Sequence, residues 1–141
     1  MENNIVIDTG KHPNVDRQRY MIYYRGGPRP GRIQRNVLYY SDKRSTFFTT
    51  RNQEQSKGYP GDYNLYFSEG APDSGRALVK RLQQNGTDSH SISTDPLFVD
   101  FKNKDFRLKP ESPMFKLGFK QIETGQIGLR EDFPERYRKG F

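Results

Sequence analysis

Four segments of this chain align on one pattern, a turn-forming residue followed by alternating apolar positions. They are Asn4-Ile5-Val6-Ile7-Asp8, Asn36-Val37-Leu38-Tyr39-Tyr40, Asn64-Leu65-Tyr66-Phe67-Ser68 and Pro96-Leu97-Phe98-Val99-Asp100, with starts 32, 28 and 32 residues apart. The second column (Ile5, Val37, Leu65, Leu97) is aliphatic and the fourth (Ile7, Tyr39, Phe67, Val99) is apolar. A strand sends alternate side chains to opposite faces, so these two columns share one face. Copies too short to bury a core alone must stack, like on like, which predicts repeated parallel strands. Asparagine in the first column suits a corner and allows a ladder of side-chain amides between layers. Pro96 has no N–H to give such a ladder, so regular stacking is expected to stop there.

Further β-like runs lie between the copies: Tyr20–Tyr24, Phe47–Thr50 and Ser91–Thr94. Gly26–Gly31 and Gly58–Gly61 separate them as turns. One helix is expected over residues 73–84, capped by Asp73 or Ser74 and closed by Asn85-Gly86. Ala77, Leu78 and Leu82 give it an apolar face, with Lys80 and Arg81 turned outward. The third column (Val6, Leu38, Tyr66, Phe98) points away from the shared face. It forms either an aromatic platform for sugars or a stripe covered by this helix and the long loops. Domain boundaries fall at 1–130 for the stacked coils and their cap, and 131–141 for a charged, aperiodic tail.

Composition supports many short strands joined by turns. Hydrophobic residues are 31% of the chain, yet 9 Tyr and 10 Phe argue against disorder. No apolar run approaches the ~20 residues of a membrane-spanning helix. MENNIVIDTG has neither a basic nor an apolar leader region, so it reads as a strand and not as a signal peptide. That leaves a cytoplasmic protein or a piece of a longer chain. Without cysteine there are no disulfides and no thiolate metal ligands. The net charge of +7 is concentrated: across residues 11–51, ten Lys/Arg against Asp16 and Asp42 leave +8. Such a cluster suits an anionic partner, although solvated loop arginines give the same pattern.

The second half carries a more specific order of parts. Asp62-Tyr63-Asn64-Leu65-Tyr66-Phe67 precedes the short helix; Gly86-x-Asp88-x-His90-Ser91-Ile92 and Asp95–Asp100 follow it. Asp105-Phe106-Arg107-Leu108 and Ser112-Pro113-x-x-x-Leu117-Gly118-Phe119 complete the series. This order resembles the C-terminal end of right-handed parallel β-helix proteins related to glycoside hydrolases and polysaccharide lyases. The resemblance spans roughly residues 60–130. It implies an all-β fold, a right-handed parallel β-helix (solenoid) segment of a few coils with a short helix and a C-terminal cap. It further implies the C-terminal part of a secreted, carbohydrate-active protein, extracellular or periplasmic, that processes a polysaccharide. Upstream coils of the same parent protein would be its partner, and an isolated chain would be inactive. The alternative is a non-catalytic cap or glycan-binding module.

No catalytic residue follows from the resemblance. Glycosidase chemistry needs two carboxyls about 5–5.5 Å or 6.5–9.5 Å apart. Asp8 and Asp100 share the fifth column, but three layers at about 4.8 Å would separate them by about 14 Å. Asp88-Ser89-His90-Ser91 imitates a triad, yet neighbours on a strand point to opposite faces. His90 is therefore expected to pin a turn through hydrogen bonds. No metal site or cofactor is expected from His12 and His90 alone. The expected substrate contacts are Arg25, Arg29, Arg32 and Arg35, whose guanidinium groups grip carboxylates, with Tyr40 and Tyr66 as aromatic surface. Basic residues interleaved with tyrosines also suit single-stranded nucleic acid, which the absence of any recognised nucleic-acid motif disfavours.

Overall fold

Three of the four aligned segments lie side by side. The structure, a computed structural model, describes residues 1–9, 21–24, 31–43, 46–50 and 61–123, with backbone alone at 23–24 and 48–50. β1 (Ile5–Ile7), β4 (Val37–Tyr40) and β7 (Leu65–Ser68) form a parallel sheet in the order β1-β4-β7. Its register sets Ile5 against Val37 and Val37 against Leu65, so the aliphatic column is one row. Two smaller parallel pairs accompany it: β2 (Ile22–Tyr24) with β5 (Phe48–Thr50), and β3 (Ile33–Gln34) with β6 (Gly61–Asp62). A bridge from Glu2 to Gln34 adds a layer to the β3–β6 pair.

The corner before each asparagine repeats as well. Asn3, Arg35 and Tyr63 have φ of 56°, 55° and 56°, left-handed values that L residues adopt only at some cost. Each turn delivers its asparagine into a ladder. Asn4 donates to Asn36 Oδ1 from its backbone N–H at 3.1 Å and from Nδ2 at 3.0 Å. Asn36 donates to Asn64 Oδ1 in the same way, at 3.1 and 3.0 Å. Each rung thus satisfies polar groups that burial would otherwise leave unpaired, at a cost of about 1–3 kcal/mol each.

Both faces of the sheet are covered. Val37, Tyr39 and Leu65 pack with Phe98, Leu108, Met114 and Phe119. On the opposite face Leu38 and Tyr66 meet Phe47 and the helix α1 (Pro72–Gln84), through Leu78, Val79 and Leu82. The third column is thus a covered stripe, and Tyr40 and Tyr66 are fully buried. α1 begins at Ala71 with Pro72 in its first turn, and neither Asp73 nor Ser74 is the cap residue. Val79, not the exposed Ala77, completes its apolar face; Lys80 and Arg81 are exposed as expected. Gly75 sets how closely α1 can approach, because a Cβ there would stand 2.4 Å from the Tyr66 carbonyl oxygen.

The fourth segment departs from the pattern. β8 (Phe98–Asp100) turns back to pair antiparallel with β9 (Asp105–Leu108), followed by the short helix α2 (Pro113–Lys116). Val99 is 41% exposed, and Phe98 faces the core in its place. The layer beside β7 is Ile92, bridged in parallel to Leu65, with Ser91 Oγ accepting from Asn64 N at 2.9 Å. The all-β solenoid expectation is corrected accordingly. The described residues form a small mixed α/β domain of short strands, in small parallel and antiparallel sheets, with a 13-residue helix and a short second one. The cause is local: Leu38 and Tyr66 need an apolar cover that a helix supplies, and Pro96 opens an antiparallel hairpin.

Candidate functional site

The left-handed corner that feeds the ladder also projects a column of side chains. Arg35 and Tyr63 occupy equivalent positions in successive layers, and His90 follows one layer on. The Arg35 guanidinium lies 5.6 Å from the Tyr63 ring centroid. His90 stacks on Tyr63 at 4.5 Å with 2° between the planes. His90 is 57% exposed and is anchored by Asp62 through two contacts, Nδ1 to Oδ2 at 2.8 Å and backbone N–H to Oδ1 at 2.7 Å. Nε2 has no hydrogen-bond partner among the described residues. Arg35 Nη1 meets Glu2 Oε1 at 2.5 Å. Burial pushes the Asp62 carboxyl up, but hydrogen bonds from the His90 ring, the His90 N–H and the Tyr63 N–H outweigh it and hold it below the ordinary value.

Beneath this column lies a buried carboxyl, Asp88, 1% exposed. Its Oδ1 accepts from Ser91 Oγ at 2.5 Å, Tyr66 Oη at 3.1 Å and Asn64 Nδ2 at 3.2 Å, while Oδ2 has no partner. Burial raises its pKa, and these three bonds offset only part of that rise. Asp88 therefore closes the asparagine ladder from the far side. It does not reach His90, whose carboxylate partner is Asp62, and Ser91 Oγ is committed to Asp88. The Asp-Ser-His sequence cluster is not a triad, and His90 pins the turn at Asp62.

The expected substrate residues are not brought together. Tyr40 and Tyr66 have 0% exposure, so neither can offer a ring to a sugar, and this expectation is corrected. Tyr40 Oη donates to the Thr46 carbonyl, and Tyr66 Oη to Asp88. Both tyrosines are there to fill the sheet–helix interface. Arg32, before β3, is exposed, and Arg35, at the corner after it, is partly exposed. Arg25 and Arg29 lie outside the described residues. A half-buried aromatic at this corner is Tyr63, which precedes the aligned asparagine. Its signal was present: Asn3, Arg35 and Tyr63 stand in one column of the same repeat.

A concavity lies against the β8–β9 hairpin and the segment after α2. It is an open cleft of about 630 Å³ lined by Val99, Arg107, Leu108, Phe115, Gln121 and Ile122 among others. Its arginine is held bidentately by Asp105, with Nε to Oδ1 at 2.8 Å and Nη2 to Oδ2 at 2.6 Å, which leaves less of the cation for a ligand. Among the described residues no group of three His, Asp or Glu could hold a metal ion, and no helix is long and apolar enough to cross a membrane. No family model, no curated protein and no solved structure matches the chain.

Proposed function

We propose that the chain binds an anionic polysaccharide at the corner column of Arg35, Tyr63 and His90, and that it acts as a binding module. The observation that supports this reading is the partly exposed stack itself: a guanidinium, a phenol and an imidazole in successive layers. The edges of the stacked rings offer rigid C–H area to a sugar, and arginine grips a carboxylate or sulfate bidentately. Glu2 is a weak competitor for Arg35, because an exposed ion pair contributes only about 0–1 kcal/mol. A uronic-acid carboxylate can take its place. Binding is favoured over catalysis because the Asp62–His90 pair orients an imidazole that meets no nucleophile among the described residues.

Affinity electrophoresis or calorimetry with polygalacturonate, a neutral glucan and single-stranded DNA at two salt concentrations tests this reading. The uronate should bind, and Arg35→Ala and Tyr63→Ala should each weaken it about tenfold, the loss of one anchoring contact. Glu2→Gln should strengthen it by removing the competing carboxylate. If both alanine variants bind like the parent, or if DNA alone binds and does so with a steep salt dependence, the reading is wrong.

A further inference from the structure

The asparagine ladder has two unlike ends. At the β7 end Ser91, Ile92 and Asp88 close it. At the β1 end nothing among the described residues does. In a parallel pair alternate residues of a strand turn both backbone groups to one neighbour. Asn4 O accepts from Val37 N at 2.8 Å and Asp8 N donates to Tyr39 O at 3.0 Å, so the even-numbered residues of β1 serve β4. Ile5 and Ile7 therefore direct their N–H and C=O groups to the outer edge, where they have no partner among the described residues. The side chain repeats this asymmetry. Asn36 Oδ1 and Asn64 Oδ1 each accept twice, from the backbone N–H and the Nδ2 of the preceding rung. Asn4 Nδ2 donates to Asn36 and to Glu2 O, while its Oδ1 accepts nothing.

We propose that the outer edge of β1 is a docking site for an extended peptide strand that runs parallel to it and places an asparagine opposite Asn4. The incoming asparagine donates its backbone N–H and its Nδ2 to Asn4 Oδ1, as Asn4 does to Asn36. Its carbonyl accepts from Ile5 N–H, and the residue two places on donates to the Ile5 carbonyl and accepts from Ile7 N–H. The aliphatic row of Ile5, Val37 and Leu65 then asks for an aliphatic side chain next after the asparagine. The recognised partner is thus Asn-aliphatic-x-apolar, read by main-chain addition to a sheet edge. The pattern comes from continuity with the β1–β4 and β4–β7 interfaces inside the same sheet. A second copy of the chain supplies no such strand, since its β4 and β7 are paired on both sides. Two copies meeting edge to edge through a two-fold axis would pair β1 antiparallel, and the amide groups of the ladder would not meet.

The probe is a labelled peptide with the sequence of residues 2–8 of this chain, Glu-Asn-Asn-Ile-Val-Ile-Asp, added to the full chain. Fluorescence anisotropy should show saturable binding. A peptide with the second asparagine replaced by alanine should bind about fivefold more weakly, because it loses the Nδ2 hydrogen bond to Asn4 Oδ1 and keeps the backbone one. In the parent chain, NMR hydrogen exchange at the Ile5 and Ile7 amides should slow on saturation while Val6 stays unchanged. Asn4→Ala in the chain should abolish the preference between the two peptides, but the amide readout does not depend on that variant folding. Equal affinity for both peptides, no binding at millimolar concentration, or unchanged exchange at Ile5 and Ile7 would each overturn the proposal. So would self-association of the chain that the peptide fails to displace.

Discussion

Asp62 and Asp88 are the same residue type, one layer apart, each accepting three hydrogen bonds, and their carboxyls shift in opposite directions. Asp62 is 22% exposed and spreads its bonds over both oxygens, so its charge is well served and its pKa falls. Asp88 is 1% exposed, collects all three bonds on Oδ1 and leaves Oδ2 unpartnered, and its pKa rises. Counting hydrogen bonds would make the two alike. What separates them is desolvation, which acts on the whole carboxyl, whereas each bond serves one lone pair. The exposed carboxylate can therefore hold a surface imidazole in place. The buried one is a structural plug for the ladder, held by Ser91, Tyr66 and Asn64.

The comparison breaks most severely if a carboxyl is placed where no donor waits. Leu65 has 0% exposure and sits between Val37 and Ile92 in the aliphatic row. Leu65→Asp should cost about 4 kcal/mol or more, from a lost core side chain and an unpaired buried acid. Urea denaturation checks it; a parent-like midpoint would mean that the row is not a core row. Asp88→Ala comes next. It removes the acceptor of Asn64, Tyr66 and Ser91 together and should cost about 3 kcal/mol, because stranded buried donors are more costly than the bonds they made. Asp62→Ala, at the surface, should cost about 1 kcal/mol and release the His90 ring, visible as loss of its ordered NMR contacts to Tyr63.

Much of the sheet was legible because its signal is periodic. Ile5, Val37 and Leu65 could be aligned by eye, and their pairing follows from stacking like on like. The helix over 73–84 was legible from Leu78, Leu82 and the Asn85-Gly86 stop, with Gly86 at φ 79°. What failed was the continuation. Pro96–Asp100 copies the apolar alternation, but alternation does not distinguish a parallel neighbour from an antiparallel one, and the hairpin to β9 reverses its faces. Ser91 and Ile92, the true next layer, carry no asparagine, because a serine hydroxyl accepts the Asn64 N–H equally well. Of the candidate site, Arg35 was legible as a cation and His90 as a turn pin. Tyr40 and Tyr66 were misplaced because exposure of a strand's second face depends on what packs over it, and α1 does. Tyr63 and Asp62 lie in the corner, where the left-handed turn aims the side chain and period-two reasoning does not apply.

The finest test uses pH to separate the two aspartates without emptying either site. In the native chain Asp88 keeps its proton to higher pH than the ordinary value of 3.8. Between 3.8 and its raised value the native state binds more protons than the unfolded state, so stability falls as pH rises through that interval. Asp62 has the opposite sign. Its contribution is complete above 3.8 and is lost as pH falls through its lowered value, where the unfolded state binds more protons. Asp88→Asn keeps an oxygen for all three donors, so its stability relative to the parent should rise with pH above 3.8 and then level off. Asp62→Asn should be weaker than the parent at neutral pH and converge with it in acid. Urea midpoints from about pH 2.5 to about 7 give both difference curves. Curves of the same sign would show that the two carboxyls are governed by their hydrogen bonds after all, and that burial does not divide them.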